Sequence, residues 1–223
     1  MPNINIGTLN KIPNVDKTAM TQPGGSRSCG AYAMVGVLGA FNKFPSDKKI
    51  SYTNDGPQKV NNQATFNQGM KYPDLANEIY HVTGILNMPQ GVPELIASGS
   101  MFNTPAAMAK VAKDMGMDNI KVNVLSKDYK GLSASYPNEE NRCVDIVGRE
   151  NVIIDAPEYK APKNDNEINV VCVFSGSSLH WLAQGSDGKF YDPGDGSVDN
   201  NWNPVSGSMG SYSFAGLWIT ISS

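Results

Sequence analysis

Between Cys29 and Phe41 the chain reads CGAYAMVGVLGAF, thirteen residues without one charged side chain. Ala31, Met34, Val35, Leu38 and Phe41 recur at helical spacing, and Ser28 stands where an N-cap belongs. The run therefore predicts a helix over about 29–41. It is too short to cross a bilayer, which takes about 20 apolar residues. Gly30, Gly36 and Gly39 each disfavour an isolated helix by ~1 kcal/mol relative to Ala. Glycines in that number make sense if the helix packs tightly against a neighbour. The helix is preceded by a Gly/Ser-rich turn, GGSRS, and begins at a cysteine.

The rest of the chain divides by character. Residues 1–25 read as an irregular leading arm punctuated by Pro and Gly. Residues 45–62 are polar and turn-rich. Helices are expected to start near Ala64, after Pro73 (with Leu75, Ile79, Val82 and Leu86 on one face) and in GVPELIAS around Pro93. NTPAAMAKVAKDMGM is a helix with Thr104 as cap, Pro105 at its first position and Gly116 at its end. NIKVNVL alternates as a strand, and NEENRCVDIVGRE reads as a helix. Beyond residue 150 the pattern changes to short β-branched and aromatic runs: NVIIDA, INVVCVF, HWLAQGS, KFYDP and FAGLWITIS. Ser186-Asp187-Gly188 reads as a hairpin turn. Helices first and strands last predict an α+β fold with an antiparallel sheet. One domain over 1–223 is expected, with a helical part at about 20–118 and a mainly β part at about 119–223.

At 223 residues the chain can bury a full core without disulfide or metal staples. Apolar content is 40% and the net charge is −3, with no Lys/Arg cluster. Neither nucleic acid nor a membrane surface is expected as a partner. The first twenty residues carry no apolar signal core. The chain is expected to be cytoplasmic as made, or secreted or injected into another cell without a cleaved leader. Its oligomeric state is not encoded in these patterns. Three cysteines, Cys29, Cys143 and Cys172, show no metal-ligand spacing, so no metal and no cofactor are expected.

Taken alone, Cys29 fits a small buried residue of a core helix. Its company changes that reading. A helix N-terminus and an imidazolium both favour a thiolate. His180 heads a strand after the SGSS turn, while His81, the other histidine, lies in a helical stretch beside Tyr80. Asp192 closes the next strand across the hairpin centred near Gly188, placed to orient an imidazole on its second nitrogen. Gln184 is a weaker candidate for that role. The Cys29 N–H and the Gln22 side-chain amide, seven residues upstream, are candidate donors to an oxyanion. Cys172, inside VVCVF, reads as core, and Cys143 has no catalytic partner nearby in sequence. Trp202, in the polar run DNNWNP, is a candidate cleft cover.

Gln22, then a Gly/Ser-containing gap, then Cys-Gly-x-x-Ala opening an apolar helix, resembles the papain-like cysteine peptidases. The distal LHWLAQGSDGKFYDPGDG resembles the bacterial branch related to double-glycine-leader peptidases, and papain-like toxin and effector domains. The likeness covers residues 20–42 and 151–196. It implies Cys29 as nucleophile, His180 as base and acid, Asp192 as orienter and Gln22 as oxyanion donor. It also implies a nucleophile helix packed on a C-terminal antiparallel sheet, and a peptide or protein substrate. Gly30 after the cysteine and Asp as orienter differ from papain itself, and the Gln-to-Cys gap is one residue longer. Three readings stand at this point: a cysteine peptidase; an effector or toxin acting as glutamine deamidase, acyltransferase or peptidoglycan amidase; and an inactive papain-like binding module.

Overall fold

A sequence with one helix that has no polar face needs other elements on every side of it, and the structure supplies them. The structure is a computed structural model and describes residues 18–44, 47–53, 61–84, 102–135, 138–164, 166–176, 178–199, 208–209 and 212–223. Its elements in chain order are α1 (Cys29–Ala40), β1 (Lys48–Thr53), β2 (Asn61–Phe66), α2 (Tyr72–Thr83), α3 (Pro105–Asp114), β3 (Asn119–Leu125), α4 (Tyr129–Ser135), α5 (Glu139–Val147), β4 (Val152–Ala156), β5 (Glu167–Ser175), β6 (Ser178–Gln184), β7 (Phe190–Asp192), β8 (Ser197–Asp199), β9 (Ser208–Met209) and β10 (Tyr212–Ser222). The fold is α+β. The large sheet runs β4-β3-β10-β5-β6-β7-β8, with β9 also paired to β10. All its pairings are antiparallel except β3–β4, which is parallel.

Every residue of α1 from Cys29 to Gly39 is buried. An all-apolar helix is stable in water only in such a position. It packs on α2 and α3 and against β5, β6 and β7. Strand alternation then sorts the sheet into two faces. Val170, Cys172, Trp181, Ala183, Tyr191, Leu217 and Ile219 point to the helices. Val171, Val173, Leu182, Phe190 and Trp218 point the other way and form a smaller core with Tyr159.

Local signals act as read in α3: the Thr104 hydroxyl accepts from the Ala107 N–H, and Pro105 opens the helix. At α1 the chemistry differs from expectation. Ser28 occupies the N-cap position but makes no side-chain capping bond. Its buried hydroxyl instead lies 2.8 Å from that of Ser26. The helix predicted near Ala64 is not present. Residues 61–66 form β2, paired with β1 as a two-stranded hairpin. Its burial alternates, with Asn62 and Ala64 inside, and the Phe66 ring packs at a tilt against Phe44 with centroids 5.5 Å apart. The buried Asn62 disguised the two-residue period. Sequence reading also missed α4 and the parallel β3–β4 pair. Leu86, the GVPELIAS segment, Trp202 and residues 1–17 lie outside the described residues.

The α1 glycines are explained by close packing. A Cβ on Gly30 would lie 2.6 Å from the Asn103 Cβ and 2.9 Å from the Met108 sulfur. One on Gly36 would meet the Tyr191 ring at 3.0 Å. Gly30→Ala should therefore destabilise the fold by about 1–3 kcal/mol despite the better helix propensity of alanine. Urea denaturation checks this, and an unchanged or increased midpoint would contradict it.

Candidate active site

Cys29 is the first residue of α1, directly after the exposed Arg27 and the buried Ser28. The thiol is nearly enclosed, with 3% of the residue exposed. It lies in a cleft of about 260 Å³ lined by Gln22, Ser26, Arg27, Phe102, Leu179 and His180 among others.

His180 comes from β6 and pairs in register with Val173 of β5. The β6–β7 hairpin pairs Ala183 with Tyr191 and Gln184 with Phe190, closed by backbone bonds between Gly185 and Lys189. Continuing that register puts Gly194 opposite His180 and Asp192 one diagonal step away, on the same face as His180. The even spacing from His180 to Asp192 thus becomes a contact: His180 Nε2 lies 2.7 Å from Asp192 Oδ1. That bond occupies one ring nitrogen and leaves Nδ1 for the Cys29 sulfur, with which the imidazole is also hydrogen-bonded. The structure thereby brings Cys29, His180 and Asp192 into one chain of contacts.

The charges in this chain act on each other strongly because water is largely excluded. Burial pulls the His180 pKa down. The negative charge on Cys29 and the bonds to Asp192 and Cys29 push it up harder, and it rises to about 10. Burial alone would raise the Asp192 carboxyl. The bond and charge of His180, the Gly194 N–H and the Tyr212 hydroxyl outweigh that and lower it. The Gly194 N–H reaches Asp192 Oδ1 at 2.7 Å. A Cβ on residue 194 would come within 3.0 Å of that oxygen and 3.6 Å of His180 Nε2. A side chain there would press on the carboxylate oxygen that holds His180.

Gln22 is brought to the same cleft by two tethers from β7 and its exit. The Gln22 N–H donates to the Pro193 carbonyl at 2.8 Å. The Tyr191 hydroxyl donates to the Met20 carbonyl at 2.6 Å. The Gln22 side-chain oxygen is buried without a hydrogen-bond partner among the described residues. Such an amide keeps its bonding capacity open at the cleft.

The remaining candidates fall elsewhere. His81 lies on α2 beside Glu78, 3.8 Å away. Gln184 accepts from the Tyr159 hydroxyl at 2.5 Å, and the His180 ring is held by Asp192 instead. Burial pushes the Cys143 thiol well up, aided by Glu139 and Glu140. It does the same to Cys172.

Sequence reading missed Tyr212. Its ring stacks on His180 with centroids 5.2 Å apart and planes at 29°, and its hydroxyl bonds Asp192. Burial first and then the Asp192 charge raise its own pKa. It reaches the site because β10 pairs with β5, Tyr212 opposite Ser175, next to β6. No spacing in the chain signals this, since the contact is made across three strands.

These shifts have signs that can be checked. A raised His180 stabilises the fold fully below the ordinary imidazole value of ~6.5 and loses that contribution as pH climbs to about 10. A lowered Asp192 contributes above the ordinary carboxyl value of ~3.9 and loses it as pH falls through the folded value. The stability margin of the wild type over Asp192→Asn should therefore narrow steadily from about pH 6.5 to about pH 10. With only two histidines in the chain, the His180 titration is resolvable by NMR and should move down in Asp192→Asn. Tyr212→Phe should raise the Asp192 carboxyl toward its ordinary value. A His180 that titrates at the ordinary value in the wild type would contradict the geometry.

Comparison with curated proteins and with solved structures finds no match. A family described as Invasion plasmid antigen J, cysteine protease, matches residues 21–223, which hold Gln22, the α1 helix and the whole large sheet. The chain belongs to the Invasion plasmid antigen J cysteine protease family, and it is a thiol hydrolase.

Proposed function

We propose that this cysteine protease cuts amide bonds of a protein substrate with Cys29, His180 and Asp192 as a triad. The observation that carries this reading is the His180 imidazole, hydrogen-bonded on one side to Asp192 and on the other to Cys29. His180 takes the Cys29 proton, giving a thiolate–imidazolium pair that Asp192 holds in line. The thiolate attacks the scissile carbonyl carbon, and its oxygen becomes an oxyanion. Two donors suit that oxygen. One is the Cys29 N–H at the uncapped helix start, where the dipole favours negative charge. The other is the Gln22 side chain, since half a turn about its last torsion presents NH₂ where its unpartnered oxygen stands.

As the tetrahedral species collapses, the C–N bond breaks and His180 gives its proton to the leaving amine. Water then attacks the thioester, His180 takes the water proton, and the free carboxylic acid and thiol result. The order Cys–His–Asp along the chain and the His-hairpin-Asp layout also support kinship with the papain-like fold and its double-glycine-leader-peptidase branch.

An electrophilic thiol probe at pH ~6 tests the pair directly, because ordinary thiols of pKa ~8.5 react poorly there. Cys29 should label selectively, Cys143 and Cys172 should not, and His180→Ala should abolish the selectivity. Equal, slow labelling of all three would refute the triad. Peptide hydrolysis should fall by about 10²–10⁴ in His180→Ala and about 10²–10³ in Gln22→Ala. The alkaline limb of the rate profile should lie near 10, since His180 must keep its proton for the leaving amine. Asp192→Asn should move that limb to lower pH. Ammonia release from protein glutamine without chain cleavage would point to deamidation by the same residues.

A further inference from the structure

The cleft wall has a charge pattern that the triad does not use. Arg27 lies two residues before Cys29, is exposed, and lines the cleft. Its guanidinium carbon stands 4.9 Å from the centroid of the Phe102 ring, which lines the same cleft. Its backbone is fixed as well: the Arg27 carbonyl accepts from Asn103 Nδ2 at 2.7 Å. Asn103 is fully buried, and its Oδ1 accepts from the Thr83 hydroxyl at 2.6 Å. Among the described residues Arg27 has no acidic partner, and no Asp or Glu lines the cleft.

A guanidinium stacked on an aromatic face keeps its in-plane N–H donors turned outward, in a fork matched to a carboxylate. A structural arginine at this place would be expected to pair with an acid of its own chain. This one is held at the cleft of Cys29 with no acidic partner among the described residues.

We propose that Arg27, seated on Phe102, is a substrate subsite that selects an acidic side chain next to the scissile bond. This rests on the triad reading above for the position of the reacting carbonyl. The Phe102 ring and the Asn103 bond to the Arg27 carbonyl hold this residue at the cleft. An Asp or Glu of the substrate supplies the charge partner that Arg27 lacks among the described residues. The carboxylate is bound and not transformed, so the chemistry of cleavage is unchanged.

Alkylation of Cys29 by iodoacetate and by iodoacetamide reads this subsite without a known substrate. The ratio of the two rates cancels any general change in thiol reactivity. It should fall by about three- to fivefold in Arg27→Gln, the size expected of one exposed charge pair, and be largely kept in Arg27→Lys. In the same enzyme, peptide pairs that differ only by Asp or Asn should show preference for Asp at one position flanking the cut. Arg27→Glu should turn that preference toward Lys. An unchanged alkylation ratio in Arg27→Gln, or cleavage indifferent to acid at every flanking position, would overturn the subsite and leave the triad standing. Failure of both reagents to label Cys29 would instead bring down the triad, and the subsite with it.

Discussion

Helix α1 has no face for water, and the rest of the structure follows from covering it. Two helices lie against it on one side, and β5, β6 and β7 on the other. Burying a side chain of Leu or Met size stabilises by roughly 1.5–3 kcal/mol, so the gain from enclosing this run is large, while leaving it exposed would be untenable. The glycines let Asn103, Met108 and Tyr191 approach to contact distance. At the N-terminus of the helix the dipole and free N–H groups face the cleft that Cys29 lines.

The tip of β7 joins the reactive parts. Asp192 closes the strand, and its side chain holds His180. The Tyr191 hydroxyl and the Pro193 carbonyl, on either side of it, hold Met20 and Gln22. One three-residue segment thus positions the imidazole from one side and the candidate oxyanion donor from the other. Tyr72 extends the link, since its hydroxyl donates to the Tyr32 carbonyl within α1 at 2.9 Å and its ring meets Tyr191 edge-on. Buried polar networks of this kind are costly unless each member is satisfied. Among the described residues the Gln22 amide oxygen, at the cleft, is one of the buried atoms without a partner. That is where an unsatisfied group has a use.

Legibility tracked the range of the interactions. Thr104-Pro105 and Gly116 mark α3 through contacts within a few residues, and the structure has that helix where the signals put it. The β5–β7 strands were legible because aromatic and β-branched runs alternate with turn residues. Segment 61–66 was misread because its inward positions include Asn62, a polar residue where the two-residue period needs an apolar one. The parallel β3–β4 pair was invisible because its partners are joined through two helices, and no local residue records that crossover. Cys29, His180 and Asp192 could be nominated from types and order. Their contact depended on the strand register, which is set by the sheet as a whole.

By itself the sequence determined the elements whose causes are local: an uncharged helix that must be buried, a cysteine at its head, a capped α3, and a hairpin with a histidine and an aspartate an even number of residues apart. Whether the last two share a face depended on the hairpin register, which the pairing of Ala183 with Tyr191 sets. Tertiary structure decided the rest. It seated Gly194 tightly against the Asp192–His180 pair, stacked Tyr212 on His180 across the intervening β5, and tied Gln22 to the exit of β7 by a backbone bond. It also laid Arg27 on Phe102, residues that are 75 positions apart in the chain. The physical reason is the same in each case. Such contacts depend on sheet order and register, which emerge only when the two cores close, and no short stretch of the chain carries them.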